Sequence, residues 1–186
     1  MLDLVSVVIP TYNRSEELKK ALGSVLLQTY KNFEVIIVDN NSTDGTDAML
    51  KDLNDQRVRL IKINNNGVIA ASRNLGINAS NGEWIAFLDS DDWWHSNKLE
   101  KVMRYCNSGY DVCYHDLKIV SSQGRFSLHQ KKMSGYQVKN PVFNDLIQLG
   151  NALSNSSVVV KASLIKQAGG LCEDKNLIGS EDYECW

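Results

Sequence analysis

Four short apolar runs alternate with three helical patterns over the first 88 residues, and that alternation limits the fold more than any other feature of the chain. Val5-Ser6-Val7-Val8-Ile9 is rich in β-branched residues and stops at Pro10, which reads as a buried strand. Asn13 followed by Glu16 has the form of a helix-capping pair. Leu18, Ala21, Leu22, Val25 and Leu26 then recur at the spacing of one helical face, which predicts an amphipathic helix of about 14 residues. Phe33 to Val38 is the second strand and ends in Asp39. Strand, helix, strand in this order is the parallel βαβ unit. Asp39 to Thr46 is dense in turn and capping residues. A short helix with Ala48, Met49, Leu50 and Leu53, a strand from Val58 to Ile63, a turn over Asn64 to Gly67 and a helix from Val68 to Ala79 follow. The fourth apolar run, Trp84 to Leu88, closes the series. The pattern predicts an α/β fold, with a mainly parallel central sheet and flanking helices.

That last run leads into Asp89-Ser90-Asp91-Asp92, three carboxylates within four positions. Ligands of open α/β sheets bind at the carboxyl ends of the strands, so the acidic cluster falls where such a fold does its chemistry. Crowded carboxylates repel one another unless a cation neutralises them. An all-oxygen donor set suits Mg²⁺ or Mn²⁺ better than Zn²⁺. The same window also fits a solvated acidic turn, with Asp91 or Asp92 capping a following helix.

The remainder is less regular. His95 to Asn107 carries Leu99, Val102, Met103 and Cys106 at core spacing and reads as a helix. Tyr110 to His115 and Leu117 to Val120 read as strands, with a turn at Ser121 to Gly124. Phe126 to Val138 is polar and reads as a loop. Pro141 to Leu149 is a short helix, Val158 to Val160 a strand, and Lys161 to Ala168 a helix closed by Gly169-Gly170. The final Glu181-Asp182 pair is followed by only four residues, which reads as a domain cut short. One domain over 1–186 is expected, with 1–94 and 95–186 as its two halves.

A net charge of −2 with mixed signs gives no support to a nucleic-acid partner. The four cysteines form no C-x-x-C pair and read as reduced thiols. Met1-Leu2-Asp3-Leu4 has no basic leader segment, and no stretch reaches the 18 or so apolar residues of a transmembrane helix. N-x-S/T triplets at Asn78 and Asn155 read as chance matches in the absence of such a leader.

Five segments in order resemble family 2 glycosyltransferases, with their Rossmann-like GT-A nucleotide-sugar-binding fold. They are Val7 to Asn13, Val38 to Thr46, Gly67 through Arg73-Asn74, Phe87 to Asp92, and Glu181-Asp182. Each alone is weak, and an isolated D-x-D is common by chance. Together they cover most of the chain.

The resemblance implies roles. Pro10, Thr11, Tyr12, Asn13, Asp39 and Asn41 would hold the nucleotide, with Tyr12 as a stacking face and Asp39 as acceptor for an N–H of a uracil-like base. Loop packing for Tyr12 and helix capping for Asp39 are the alternatives. Arg73 resembles the nucleotide-contacting arginine, and a surface ion pair is its alternative. Asp89 and Ser90 would lie against the donor, with Asp91, assisted by Asp89, holding a divalent cation. Asp182 matches the general base and Glu181 its neighbour. A final helix with acids in its first turn would explain the same pair. Trp93 and Trp94 would face sugar rings or cover the core. Asn40-Asn41 stands where relatives carry Asp-Gly or Asp-Asp. The processive Q-x-x-R-W motif does not occur.

The resemblance therefore implies an inverting transferase. It would move a sugar from a nucleotide-sugar, foremost a UDP-sugar, to a hydroxyl of a saccharide or lipid-linked acceptor. Its setting would be the cytoplasm or the inner face of the membrane. The rivals are a truncated nucleotide-binding module, a phosphatase of the HAD type, which lacks its D-x-D-G-T pattern here, and a nucleotidyltransferase, which lacks a Gly-rich phosphate loop.

Overall fold

The computed structural model describes residues 2–120, 132–133, 135–177 and 185. Its frame is the predicted alternation: β1 (Val5–Thr11), α1 (Ser15–Leu26), β2 (Phe33–Asp39), α2 (Thr46–Leu53), β3 (Val58–Lys62), α3 (Ile69–Ala79) and β4 (Trp84–Phe87). The four strands pair in parallel in the order β3-β2-β1-β4. The later elements are α4 (Lys98–Cys106), β5 (Val112–Cys113), β6 (Leu117–Lys118), β7 (Lys132–Met133), α5 (Val142–Leu149), β8 (Val159–Lys161) and α6 (Ala162–Gln167). β8 returns to the same sheet antiparallel to β4, and β5 pairs antiparallel with β8. The sheet is thus mainly parallel, and the second half of the chain completes it. β6 and β7 form a separate two-stranded ribbon.

Strand alternation divides the core into two layers. Val5, Val7 and Ile9 of β1 and Trp84 and Ala86 of β4 pack with Leu18, Leu22 and Val25 of α1 and Leu99, Val102 and Met103 of α4. Val8, Ile85 and Phe87 face the other way, onto Ala70 and Ile77 of α3, Leu146 of α5 and Ile165 of α6. Burial on both faces is why these strands read as continuous apolar runs. Gly76 lets α3 lie against β1, since a Cβ there would stand 2.4 Å from Val8 Cγ1.

Three local expectations need correction. Asn13 and Glu16 do not cap α1: Arg14 occupies the N-cap position and makes no side-chain capping bond. The helix expected from His95 begins instead at Lys98. The His95 carbonyl accepts from Gln28 Nε2 at 2.8 Å and the Ser96 carbonyl from the Thr29 N–H at 2.7 Å, which pins this stretch to the end of α1. The strands expected over Tyr110–His115 and Leu117–Val120 shrink to two residues each. The turn at Ser121–Gly124, and much of the Phe126–Val138 loop, lie outside the described residues.

Candidate functional site

Parallel register places Thr11 opposite Asp39, and Asp39 opposite Lys62, at the carboxyl ends of β1, β2 and β3. Asp39 is fully buried. Its two oxygens accept the Ser42 N–H at 3.1 and 3.2 Å, and one also accepts the Ser42 hydroxyl. Lys62 Nζ donates to Asp39 at 2.8 Å and reaches Asp47 at 2.5 Å. The hydrogen bond to Asp39, then that to Asp47, raises the Lys62 pKa. Lys62 was missed in the sequence, where it reads only as the polar end of a strand. Strand register is the signal that finds it.

Pro10 lies buried inside β1 beside Val38. Thr11 is also buried, and its hydroxyl has no hydrogen-bond partner among the described residues. The Tyr12 ring beyond it is 57% exposed. Asn13 and Asn41 adopt left-handed backbone, with φ 48° and 57°, which asparagine tolerates better than most residues. The Asn13 N–H donates to Ser42 Oγ at 2.8 Å, and its Oδ1 accepts the Thr43 N–H at 2.8 Å. Asp44 accepts the Ser15 N–H at 2.7 Å. Its pKa is lowered, first by the Thr46 hydroxyl and also by this Ser15 bond. The loops after β1 and β2 are therefore stapled to each other.

Arg73 projects from α3 and is almost fully buried, with one terminal nitrogen 2.8 Å from Asp89 Oδ1. The Asp89 N–H donates to Ser156 Oγ at 3.1 Å, and the Asp92 N–H to the Asp89 carbonyl at 3.1 Å, so the acidic segment is a tight turn. It caps no helix, because α4 starts only at Lys98. Ser90 is buried. Asp91 is half exposed and ion-paired with Arg14. Burial, foremost, raises the Asp92 pKa; the charges of Asp89 and Asp91 add to this, and a Ser156 hydrogen bond opposes it. Trp93 is exposed, whereas Trp94 is buried with its indole N–H donating to the Ser156 carbonyl at 2.7 Å. The tandem tryptophans thus split into one surface ring and one core ring. Ser156 and Arg14 were also missed, Ser156 because it sits in the weakly patterned half. Glu181 and Asp182 lie outside the described residues.

A cavity of about 1580 Å³ runs from Asp91, Asp92 and Trp93 along α4 to Tyr110 and Tyr114. Among the described residues no group of three His, Cys, Asp or Glu side chains is placed to hold a metal ion.

The sheet order, with its strand-end loops and acidic turn, defines an α/β domain of the GT-A glycosyltransferase kind. The chain matches the model described as glycosyl transferase family 2 over residues 6–167, and it belongs to that family. A glucosyltransferase of Escherichia coli, WfgD, is 33% identical over 141 residues, which are 74% of this chain and 56% of that protein. Its name gives UDP-Glc as donor and α-D-GlcNAc-diphosphoundecaprenol as acceptor. An uncharacterized glycosyltransferase of Rickettsia prowazekii is 30% identical over 185 residues, 98% of this chain and 57% of its own length. Staphylococcus aureus TarS 1–349 in complex with UDP superposes with a TM-score of 0.73 at 23% identity, covering 96% of this chain and 52% of TarS 1–349. The mannosyltransferase PcManGT from Pyrobaculum calidifontis, in complex with GDP-Man and Mn²⁺, gives 0.64 at 20% identity, over 91% of this chain and 48% of that one. The chain spans little more than half the length of the E. coli and R. prowazekii proteins, and 24% of a Rickettsia felis relative.

Proposed function

We propose that this domain transfers a sugar, with inversion, from a UDP-sugar to a hydroxyl of a saccharide or lipid-linked acceptor. The observation that carries the reading is the carboxyl edge of the sheet, where buried Asp39 ends β2 and buried Arg73 pairs with Asp89 just past β4. The Thr11 hydroxyl, buried without a partner among the described residues, is free to bond a ligand. Tyr12 gives the nucleobase a stacking face, while Asp39 accepts a base N–H. Asn13 and Asn41 hold the rim. Arg73 holds Asp89 oriented towards the donor, alongside Ser90. The UDP-Glc donor and lipid-linked acceptor named for the E. coli relative support the choice of substrates.

Asp91 and Asp89 fit a divalent cation, Mn²⁺ or Mg²⁺. Two hard carboxylates, with no third ligand among the described residues, suit an ion that completes its shell with water and substrate phosphates. When bound, such an ion offsets charge on a leaving nucleoside diphosphate. The chain's own work is to bind, orient and accept a proton: Asp182 takes the proton of the attacking hydroxyl, with Glu181 beside it. Among the described residues no helix is long and apolar enough to cross a membrane. We assign the protein to the cytoplasm, where the acceptor is reached at the inner face of the membrane.

Thermal unfolding with UDP and Mn²⁺, separately and together, tests the donor site. A ligand at 100 times its dissociation constant adds about 2.7 kcal/mol. For a domain of this size the rise in Tm is about 5–10 °C. The rise requires both components, is absent with GDP, and is lost in Asp91→Ala. Asp182→Asn keeps the rise and loses UDP release from the UDP-sugar. Unchanged release in that variant removes Asp182 from the role of base.

A further inference from the structure

The cavity beside the acidic turn contains two basic side chains whose buried nitrogens have no hydrogen-bond partner among the described residues. Lys98, at the start of α4, is 6% exposed, and its Nζ has no hydrogen-bond partner among the described residues. It rests 3.7 Å from the ring centroid of Trp94. A buried ammonium that rests on an aromatic face without a hydrogen-bond acceptor is poorly compensated. His115, which follows β5, lines the same cavity. Its Nδ1 lies 2.8 Å from the Asp116 carbonyl, so Nδ1 carries a proton and donates. Its Nε2 is buried without a partner among the described residues. Two basic nitrogens therefore stand unsatisfied in one cavity whose remaining wall includes Tyr105, Tyr110 and Tyr114.

We propose that Lys98 and His115 form an oxyanion subsite that receives a carboxylate or phosphate carried by the acceptor. An acidic saccharide then lies in the cavity between the tyrosines and the acidic turn, with its anion against Lys98 Nζ and His115 Nε2. The word acceptor rests on the donor-site reading above; the anion site does not.

The electrostatic surroundings agree. Burial brings the Lys98 pKa down to about 7, opposed only by the Cys106 and Cys113 thiols. Burial first, then the charges of Lys98 and His95, lowers the His115 pKa, against its bond to the Asp116 carbonyl and the Asp116 charge. Asp116 Oδ1 is itself occupied by the Gly135 N–H at 2.9 Å. The Cys106 thiol donates a hydrogen bond to Cys113 Sγ at 3.7 Å. An anion arriving between Lys98 and His115 restores their charge, so binding takes up protons.

Calorimetric titration of the chain at pH 7.5, in two buffers of different ionisation enthalpy, tests this. The probes are methyl β-D-glucuronide, inorganic phosphate and, as the neutral control, methyl β-D-glucoside. The expected result is that glucuronide or phosphate binds at least about tenfold tighter than glucoside, with uptake of about three-quarters of a proton at Lys98 and further uptake at His115. Preference between the two anions distinguishes a uronic acid from a phosphorylated acceptor. Lys98→Met loses the preference and the uptake, Lys98→Arg keeps the preference, and His115→Gln weakens it. Asp89→Asn leaves it intact. Equal affinity for glucuronide and glucoside, binding without proton uptake, or loss in Asp89→Asn with retention in Lys98→Met overturns the proposal. UDP binding is read in the same samples. Anion binding with uptake in a chain that binds no UDP upholds the subsite and removes the donor reading.

Discussion

Arg14 and Asp91 meet across the mouth of the site, each side chain about half exposed at 48% and 51%. A pair so exposed contributes at most about 1 kcal/mol. Arg14 occupies Asp91 Oδ2 and carries a positive charge, so a cation bound to Asp91 competes with it. Arg14→Ala is expected to lower the Mn²⁺ concentration for half-maximal thermal stabilisation, by no more than about fivefold. A titration of Tm against Mn²⁺ in saturating UDP measures it, and an unchanged midpoint separates Arg14 from the cation. Lys98 makes the second residue-scale prediction. Its folded pKa of about 7 lies below the roughly 10.4 of an unfolded lysine. Below pH 7 both states carry the proton and the burial penalty is fully present. Between pH 7 and about 10.4 the unfolded state binds more protons, so stability rises with pH. Lys98→Met is expected to flatten that rise; urea midpoints at pH 6.5, 8 and 9.5 report it.

Elements were legible wherever hydrophobic period decided the structure. β1, β2, β4, α1 and α3 fall within a residue or two of expectation, because each is buried on a face that its sequence marks with apolar residues. The misses come where long-range contacts override local signals. Asn13 looks like a cap but is drawn into the next loop by Ser42 and Thr43. His95 and Ser96 look helical but are held by Gln28 and Thr29. In the candidate site, Asp39 and Asp89 could be picked out because carboxylates that close apolar strands are conspicuous, whereas Arg73, inside α3, stood out only through the resemblance. Lys62, Arg14 and Ser156 could not, since their roles depend on register and on a return of the chain 67 residues after Asp89. Packing between elements makes its own prediction at Gly76. A methyl group there meets Val8 Cγ1 at 2.4 Å, and valine in a fully buried strand has no free rotamer to retreat into. Gly76→Ala is expected to cost about 1–3 kcal/mol, a fall in Tm of about 2–4 °C for each kcal/mol. An unchanged melting temperature means that α3 shifts along β1 at no cost.

At the scale of the molecule, the two halves of the chain share one sheet and one site. β8 pairs with β4 through Trp84–Lys161, Ile85–Val160 and Ala86–Val159. Ser156, just before β8, accepts the Asp89 N–H and the Trp94 indole N–H, so the acidic turn is held by the second half. Val159 enters the core layer of α1 and α4, while Val158 and Val160 enter that of α3. Neither layer closes without them. Residues 1–94 alone would leave β4 as an open edge lined by Ile85 and Phe87, an arrangement prone to pair with other chains. The expectation is one cooperative transition for 1–186, with tryptophan fluorescence and far-UV circular dichroism giving coincident urea midpoints. The fragment 1–94 is expected to give no sigmoidal transition. Separate midpoints in the full chain, or a folded fragment, would make residues 1–94 an independent unit. The site would then be assembled by docking of two units rather than by folding of one.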